Sequence, residues 1–224
     1  MSRELWSEVD EYICGHLLAD DPDLARAAAA SDAAGLPPIA VTANQGKLLE
    51  LLTRIHKAKR VLELGTLGGY STIWLARGVG VDGTVVTLEL DPDYAALAGE
   101  NIARAALAER VDLRVGPALE TLAAMHKAGE GAFDLIFIDA DKQSYPAYLE
   151  WSLKLSRAGT VLIGDNVVRS GGILDPTSED GVIRGVRRFY ELLADEPRVD
   201  ATAIQMVGAK GHDGFALGIV SAPS

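Results

Sequence analysis

Phe133-Asp134-Leu135-Ile136-Phe137-Ile138-Asp139-Ala140-Asp141-Lys142 is the stretch on which the fold turns. Phe133 and the run from Leu135 to Ile138 are apolar on both faces, the pattern of a central strand in a parallel sheet. Three charged residues, Asp139, Asp141 and Lys142, follow at once. Charges placed where a buried strand emerges are costly unless paired, ligated or solvated, so this end of the strand is a candidate site. A second strand-like run, Thr160-Val161-Leu162-Ile163-Gly164, ends in Asp165-Asn166. Two neighbouring strand ends with hard oxygen donors can hold one divalent cation between them.

The rest of the chain frames that edge with alternating strands and helices. Strands are expected at Val61–Leu64, Thr84–Leu90, Val111–Val115, Phe133–Ile138 and Thr160–Ile163. Helices are expected near Ser71–Arg77, Pro92–Ala108, Ala118–Lys127 and Pro146–Leu155, with Asp91-Pro92 a strong helix start. This order predicts an α/β fold with a doubly wound, mostly parallel sheet, Rossmann-like in character. A loop from Asn166 to about Gly181 leads to a helix over Val182–Ala194 with Ile183, Val186, Phe189, Tyr190 and Leu193 inward. Val199–Val207 and Phe215–Val220, joined by a Gly-rich connection, read as an antiparallel edge hairpin, which brings the sheet to seven strands. Ahead of the sheet, Leu5, Val9, Ile13 and Leu17 recur at helical spacing, and a second helix covers the Ala-rich Asp23–Ala34. Thr42-Ala43-Asn44-Gln45 matches a capping box opening a third helix, its core face Leu48, Leu49, Leu51, Leu52 and Ile55. Residues 1–58 therefore form an N-terminal helical cap and 59–224 a Rossmann-like core, within one domain.

The bulk numbers narrow the function. A net charge of −11 over 224 residues argues against a nucleic-acid footprint. The single cysteine, Cys14, excludes an internal disulfide framework and a Cys-rich zinc site, and the four histidines are scattered. The N-terminus is acidic without an apolar core, so no signal peptide is expected, and no run is long and apolar enough to span a membrane. A soluble cytoplasmic protein is the expectation.

Val61-Leu62-Glu63-Leu64-Gly65-Thr66-Leu67-Gly68-Gly69-Tyr70-Ser71 reads as first strand, glycine turn and helix start. Leu67 stands where a dinucleotide fingerprint needs its second glycine, which weakens an NAD-dependent oxidoreductase as the alternative. Glu63, an acid inside the strand, suits a ligand carrying an amino group, such as S-adenosylmethionine. Ser71, near a helix N-terminus, can hold that ligand's carboxylate. Glu89 ends the next strand, where such folds hydrogen-bond ribose hydroxyls. Gly116-Pro117-Ala118 ends the third, where adenine would lie. A nucleoside-binding module without catalysis is the other alternative; it would need neither Lys142 nor the acids at the strand ends.

With these residues assembled, the chain resembles the cation-dependent small-molecule O-methyltransferases, the group of catechol and caffeoyl-CoA O-methyltransferases. The likeness is carried by Glu63 to Ser71, by Asp139-Ala140-Asp141-Lys142 and by Asp165-Asn166, and spans nearly the whole chain. It implies a class I methyltransferase fold with S-adenosylmethionine contacts at Val41, Glu63, Gly65, Thr66, Gly69, Ser71, Glu89, Ala118 and Asp139. It also implies metal ligation by Asp139, Asp165 and Asn166, with Lys142 as catalytic base beside Asp139, and a homodimer. The implied substrate is an aromatic with two vicinal hydroxyls, of catechol, caffeoyl or flavonoid type. Such chemistry needs these residue types. A neutral phenol is a poor nucleophile, and a cation chelated by two vicinal oxygens activates one of them and fixes its direction. Two carboxylates and an amide suit Mg²⁺, or Mn²⁺ or Ca²⁺. A nearby divalent cation also favours a neutral lysine, as a general base requires. Asp141, Lys210 and His212 carry no assigned role.

Overall fold

The computed structural model describes residues 2–222. In chain order these form α1 (Arg3–Leu17), α2 (Pro22–Ala33), α3 (Ala43–Ile55), β1 (Arg60–Leu64), α4 (Tyr70–Val79), β2 (Thr84–Glu89), α5 (Pro92–Arg104) and β3 (Val111–Val115). Then come α6 (Ala118–Lys127), β4 (Leu135–Ile138), α7 (Tyr145–Lys154), β5 (Val161–Asp165), α8 (Gly181–Asp195), β6 (Val199–Gly208) and β7 (Gly211–Val220). The seven strands make one sheet in the order β3-β2-β1-β4-β5-β7-β6. β1 to β5 pair in parallel, and β7 runs antiparallel to both β5 and β6. The direction of winding reverses between β1 and β4. That reversal opens a crevice at the carboxyl ends of the strands.

Side chains alternate between two cores. Leu62, Leu64, Ile136 and Ile138 face Leu122, Met125, Tyr145, Leu149 and Phe189 of α6, α7 and α8. Val61, Leu135, Phe137 and Ile163 face Ile73, Trp74, Leu75 and Ala98 of α4 and α5, where Leu24, Ala27 and Leu49 of α2 and α3 join the same cluster. Both faces of the central strands are covered, which is why these strands read as unbroken apolar runs.

Three expectations are corrected. The Gly-rich connection is not a loop: β6 and β7 pair from Val199↔Val220 up to Gly208↔Gly211, leaving Ala209-Lys210 as a two-residue turn. Gly214 makes this possible, since a Cβ there would lie 2.3 Å from the Ile204 carbonyl oxygen. The capping box at Thr42 forms, with Thr42 Oγ1 and Gln45 Oε1 each accepting the other's backbone N–H. The buried face of α3, however, is Gly46, Leu49, Glu50 and Thr53, while Leu51 and Ile55 point outward. Gly46 sets that rotation by letting Trp74 pack directly on the helix backbone. Finally, α1 forms as expected but buries none of its residues. Its amphipathic spacing is real, yet Leu5, Val9 and Leu17 remain exposed. Smaller differences lie at element ends: α5 stops at Arg104, and Ala106 takes a left-handed φ of 57° before a 3₁₀ turn at Ala108–Arg110. The long loop after β5 contains a kinked 3₁₀ segment, Arg169–Leu174.

Candidate active site

Register brings the functional residues together. Leu64 pairs with Ile138, and Ile138 with Gly164, so Gly65, Asp139 and Asp165 emerge side by side on three adjacent strands. Gly65 takes a φ of 97°, and a Cβ on it would sit 2.5 Å from the Asp139 carbonyl oxygen. Only glycine fits there. The first turn and the β4 end are therefore in backbone contact.

That turn is built around two acids. Glu63 is fully buried, and three hydroxyls donate to its carboxylate: Ser71 at 2.6 Å, Thr72 at 2.5 Å and Thr87 at 2.7 Å. Thr87 gives its only proton to Glu63, so Thr66, 2.6 Å away, must donate to Thr87. Burial outweighs these bonds and pushes the Glu63 pKa up to about 7. Glu89 accepts the backbone N–H groups of Thr66 at 3.2 Å and Leu67 at 2.7 Å through one oxygen, and that of Asp91 at 3.0 Å through the other. Asn101 of α5 completes the frame by donating to the Gly68 carbonyl at 2.9 Å. Gly69 caps α4 in a left-handed conformation without a side-chain cap, so the helix N-terminus keeps backbone N–H groups available to a carboxylate. Sequence reasoning found Glu63, Thr66, Ser71 and Glu89, but not Thr72, Thr87 and Asn101, which hold the turn with them. Ala118 opens α6 after Gly116, two strands away beyond β2.

The second half of the site lies at β4 and β5. Lys142 Nζ donates to Asp139 Oδ1 at 2.8 Å and lies 4.9 Å from the Tyr145 ring centre. Asp165 is buried and accepts the N–H of Asn166 at 2.7 Å; Asn166 itself turns left-handed at φ 54°. Burial first, and then the charge of Asp139, holds the Asp165 carboxyl well above the usual carboxylate range, while Lys142 acts in the opposite direction. Lys142 pairs with Asp139, and among the described residues Asp165 has no ion pair within 4.0 Å. Among the described residues no three His, Cys, Asp or Glu side chains converge, and Asn166, next to Asp165 in the chain, offers an amide as a further hard donor. Two carboxylates and an amide oxygen are the hard donors that Mg²⁺ prefers, and the deficit of positive charge fits a divalent cation.

Two residues hold this geometry that sequence reading did not single out for the purpose. The Tyr145 hydroxyl, fully buried, lies 2.7 Å from the Ile138 carbonyl and 2.8 Å from that of Asp165, sharing its proton between the two strand ends. Tyr145 also packs in the core, so its ring and its hydroxyl serve separate purposes. Gly185 in α8 would place a Cβ 2.1 Å from the Lys142 carbonyl oxygen, so α8 seats directly on the backbone that carries Lys142. A lone glycine inside an amphipathic helix was the available signal. Asp141, left without a role, caps the 3₁₀ turn by accepting from Ser144 N at 3.1 Å and from the Tyr148 hydroxyl.

Beside Asp165 and Asn166 opens a cleft of about 320 Å³, whose wall includes Val41, Asn44, Arg169, Lys210 and Asp213. Of the expected cofactor contacts, Val41 alone lines it. The glycine turn, Glu89 and Ala118 lie along the same sheet edge, on the β2–β3 side.

Comparison with known proteins accords with this arrangement. The O-methyltransferase family model matches residues 20–217. A catechol O-methyltransferase of Mycobacterium tuberculosis is 54% identical over 213 residues, 95% of each chain. One from Niastella koreensis is 47% identical, covering 98% of this chain and all of that one. The structure of the Bacillus cereus O-methyltransferase in complex with SAH superposes with a TM-score of 0.97 at 53% identity, covering 98% of this chain and 100% of the other. That of TomG from Streptomyces achromogenes, involved in tomaymycin synthesis and in complex with SAM, gives 0.95 at 46%, over 99% and 100%. The chain belongs to the O-methyltransferase family and is an enzyme of methyl transfer.

Two outcomes follow from the geometry. Between pH 4.5 and 7 Glu63 is protonated in the folded state and ionised when unfolded, so unfolding releases a proton and stability falls as pH rises through that window. Glu63→Gln should flatten this slope, changing the wild-type-minus-mutant difference in urea unfolding by up to about 3 kcal/mol between pH 4.5 and 8; parallel pH profiles would contradict it. Gly185→Ala should displace Lys142 and lower kcat of methyl transfer roughly 10- to 100-fold with a smaller effect on SAH affinity by calorimetry. An unchanged kcat would detach α8 from catalysis.

Proposed function

We propose that this S-adenosylmethionine-dependent O-methyltransferase methylates one hydroxyl of a vicinal-dihydroxy aromatic, of catechol, caffeoyl or flavonoid type, with a divalent cation bound by Asp139, Asp165 and Asn166. The observation that carries the reading is two carboxylates at adjacent strand ends, Asp165 buried and Asp139 half-buried, with the Lys142 ammonium paired to Asp139. Burial and the charge of Asp139 push the Asp165 carboxyl towards its protonated form, and a bound cation would keep both acids ionised. Mg²⁺ is the favoured ion, with Mn²⁺ or Ca²⁺ as substitutes. When bound, the cation supplies acidification of the substrate hydroxyl and a chelate that fixes both vicinal oxygens.

The chain's own residues do the rest. Lys142 Nζ, in its neutral form, accepts the hydroxyl proton, and Asp139 holds the ammonium that results. The substrate oxygen then forms its bond to the methyl carbon as the carbon–sulfur bond breaks, leaving S-adenosylhomocysteine. Glu89 holds the ribose through lone pairs its backbone partners leave free. The backbone N–H groups of the first turn of α4, Ser71 among them, meet the carboxylate, the Ser71 hydroxyl being committed to Glu63. Glu63, Gly65, Thr66 and Gly69 shape the turn along which the donor lies, with Asp139 at its methyl end, Val41 closing over it and Ala118 at the adenine. The relatives named for catechol, and neighbours carrying SAH or SAM, support both halves of this reading. The proposal includes a cytoplasmic homodimer, in which the outward apolar side chains of α1 would be covered.

The test is transfer from S-adenosylmethionine to catechol with and without Mg²⁺. EDTA should abolish turnover and Mg²⁺ restore it; Asp165→Ala should lose at least about 100-fold without rescue by added metal. Full activity in EDTA would remove the cation from the mechanism. Lys142→Met should lower kcat by a similar ~100-fold while SAH still binds in calorimetry, and equal loss of SAH binding would make Lys142 structural.

A further inference from the structure

The turn between β6 and β7 is held in a way that no feature of the methyl-transfer chemistry requires. Ala209-Lys210 is its whole length. Arg3 of α1 donates through Nε to the Ala209 carbonyl at 3.0 Å, and Asp10 of the same helix accepts the Ala209 N–H at 2.9 Å. The other Asp10 oxygen accepts from Asn44 Nδ2 of α3 at 3.2 Å. Gly208 makes room for this grip, because a Cβ there would lie 2.5 Å from Asp10 Oδ2. Both backbone polar groups of one residue, Ala209, are thus clasped, and the next residue is Lys210. Its side chain lines the cleft together with Asp165 and Asn166.

The charges around the cleft are unequal in their freedom. Arg169 is 3.5 Å from Asp213, which also accepts the N–H groups of Val168 and Arg169. Arg3 is committed to Ala209. Lys210 has no hydrogen bond or ion pair within 4.0 Å among the described residues. It is exposed by area, yet the surrounding protein desolvates its ammonium and lowers its pKa, against the charges of Asp139 and Asp165, which raise it. An ammonium in reach of both acids, but paired with neither, is available to an incoming anion.

We infer that Lys210 is an acceptor-recognition residue, and that the preferred substrate is a catechol bearing a carboxylate, which ion-pairs with Lys210 while its two hydroxyls face Asp165 and Asn166. The inference rests on the function proposed above, which makes this cleft the acceptor's. A carboxylate suits the site better than a phosphate ester, because one ammonium is free and about 320 Å³ holds a molecule of one or two rings. The clasp on Ala209 supplies the preorganisation such a contact needs.

The experiment compares 3,4-dihydroxybenzoate with its neutral amide, 3,4-dihydroxybenzamide, as acceptors for wild type, Lys210→Met and Lys210→Arg, each with saturating Mg²⁺ and S-adenosylmethionine. Wild type should prefer the acid, and Lys210→Met should lower the acid-to-amide ratio of kcat/KM about tenfold, mainly through KM of the acid. Lys210→Arg should restore most of the ratio. The ratio of the two monomethylated products of the acid should shift in Lys210→Met more than that of the amide, which a merely structural defect would not do. A wild type indifferent to the carboxylate, or equal losses on both acceptors, overturns the role of Lys210. If neither acceptor is methylated by a folded enzyme that binds SAH, the proposed function fails instead. Calorimetric binding of the acid to the SAH complex then decides Lys210 separately: binding weakened by Lys210→Met upholds it, and no difference overturns it.

Discussion

Two carboxylates emerge from neighbouring buried strands with a lysine paired to the first of them, and much of the molecule serves to keep them there. Left to themselves, Asp139 and Asp165 would separate or take up protons, since burial and mutual repulsion both disfavour the second charge. The sheet does not allow separation. β4 and β5 are locked in register, the Tyr145 hydroxyl ties their last carbonyls, and Gly65 lets the first turn abut the Asp139 backbone. On the far side α8 seats against Lys142 through Gly185. The result is a rigid set of oxygen donors whose charge is uncompensated by the chain alone. Preorganised sites of this kind place the cost of assembly in folding rather than in each catalytic cycle.

The donor side follows the same logic in a different form. Glu63 has no cation beside it; three hydroxyls and a relay through Thr66 and Thr87 satisfy its oxygens. Its carboxylate links β1, β2 and α4, the three elements that define the glycine turn. Glu89 then fixes the turn's backbone directly. Both acids are therefore part of the turn's architecture, and any contact they make with a donor uses what those bonds leave over.

Most of this plan was legible in the sequence because it follows from local rules. Apolar runs ending in acids marked β4 and β5, Asp91-Pro92 and Thr42 marked helix starts, and parallel topology put the strand ends on one edge. The parts that were not legible depend on contacts between distant segments. Whether Leu51 and Ile55 or Gly46 and Glu50 face inward is decided by Trp74, far along the chain. A glycine-rich stretch such as Gly208 to Gly214 looks like a flexible link until its partner strand and α1 are known to need the space. Tyr145 and Gly185 are ordinary by type; only the packing reveals what they hold. Lys210 carried no local pattern, since its placement comes from a clasp contributed by residues two hundred positions earlier.

That clasp divides the enzyme into parts with different freedom to change. α1 buries none of its residues, so substitutions along it leave the two cores intact. Yet Arg3 and Asp10 reach the hairpin turn that borders the cleft. Both residues lie outside the two cores, and their contacts tie α1 to the hairpin and, through Asn44, to α3. The residues proposed for catalysis sit in the opposite position, at strand ends set directly against the core. Were Lys210 to recognise acceptors as inferred above, the choice of acceptor could vary over evolutionary time through α1 and the hairpin turn while both cores stay as they are.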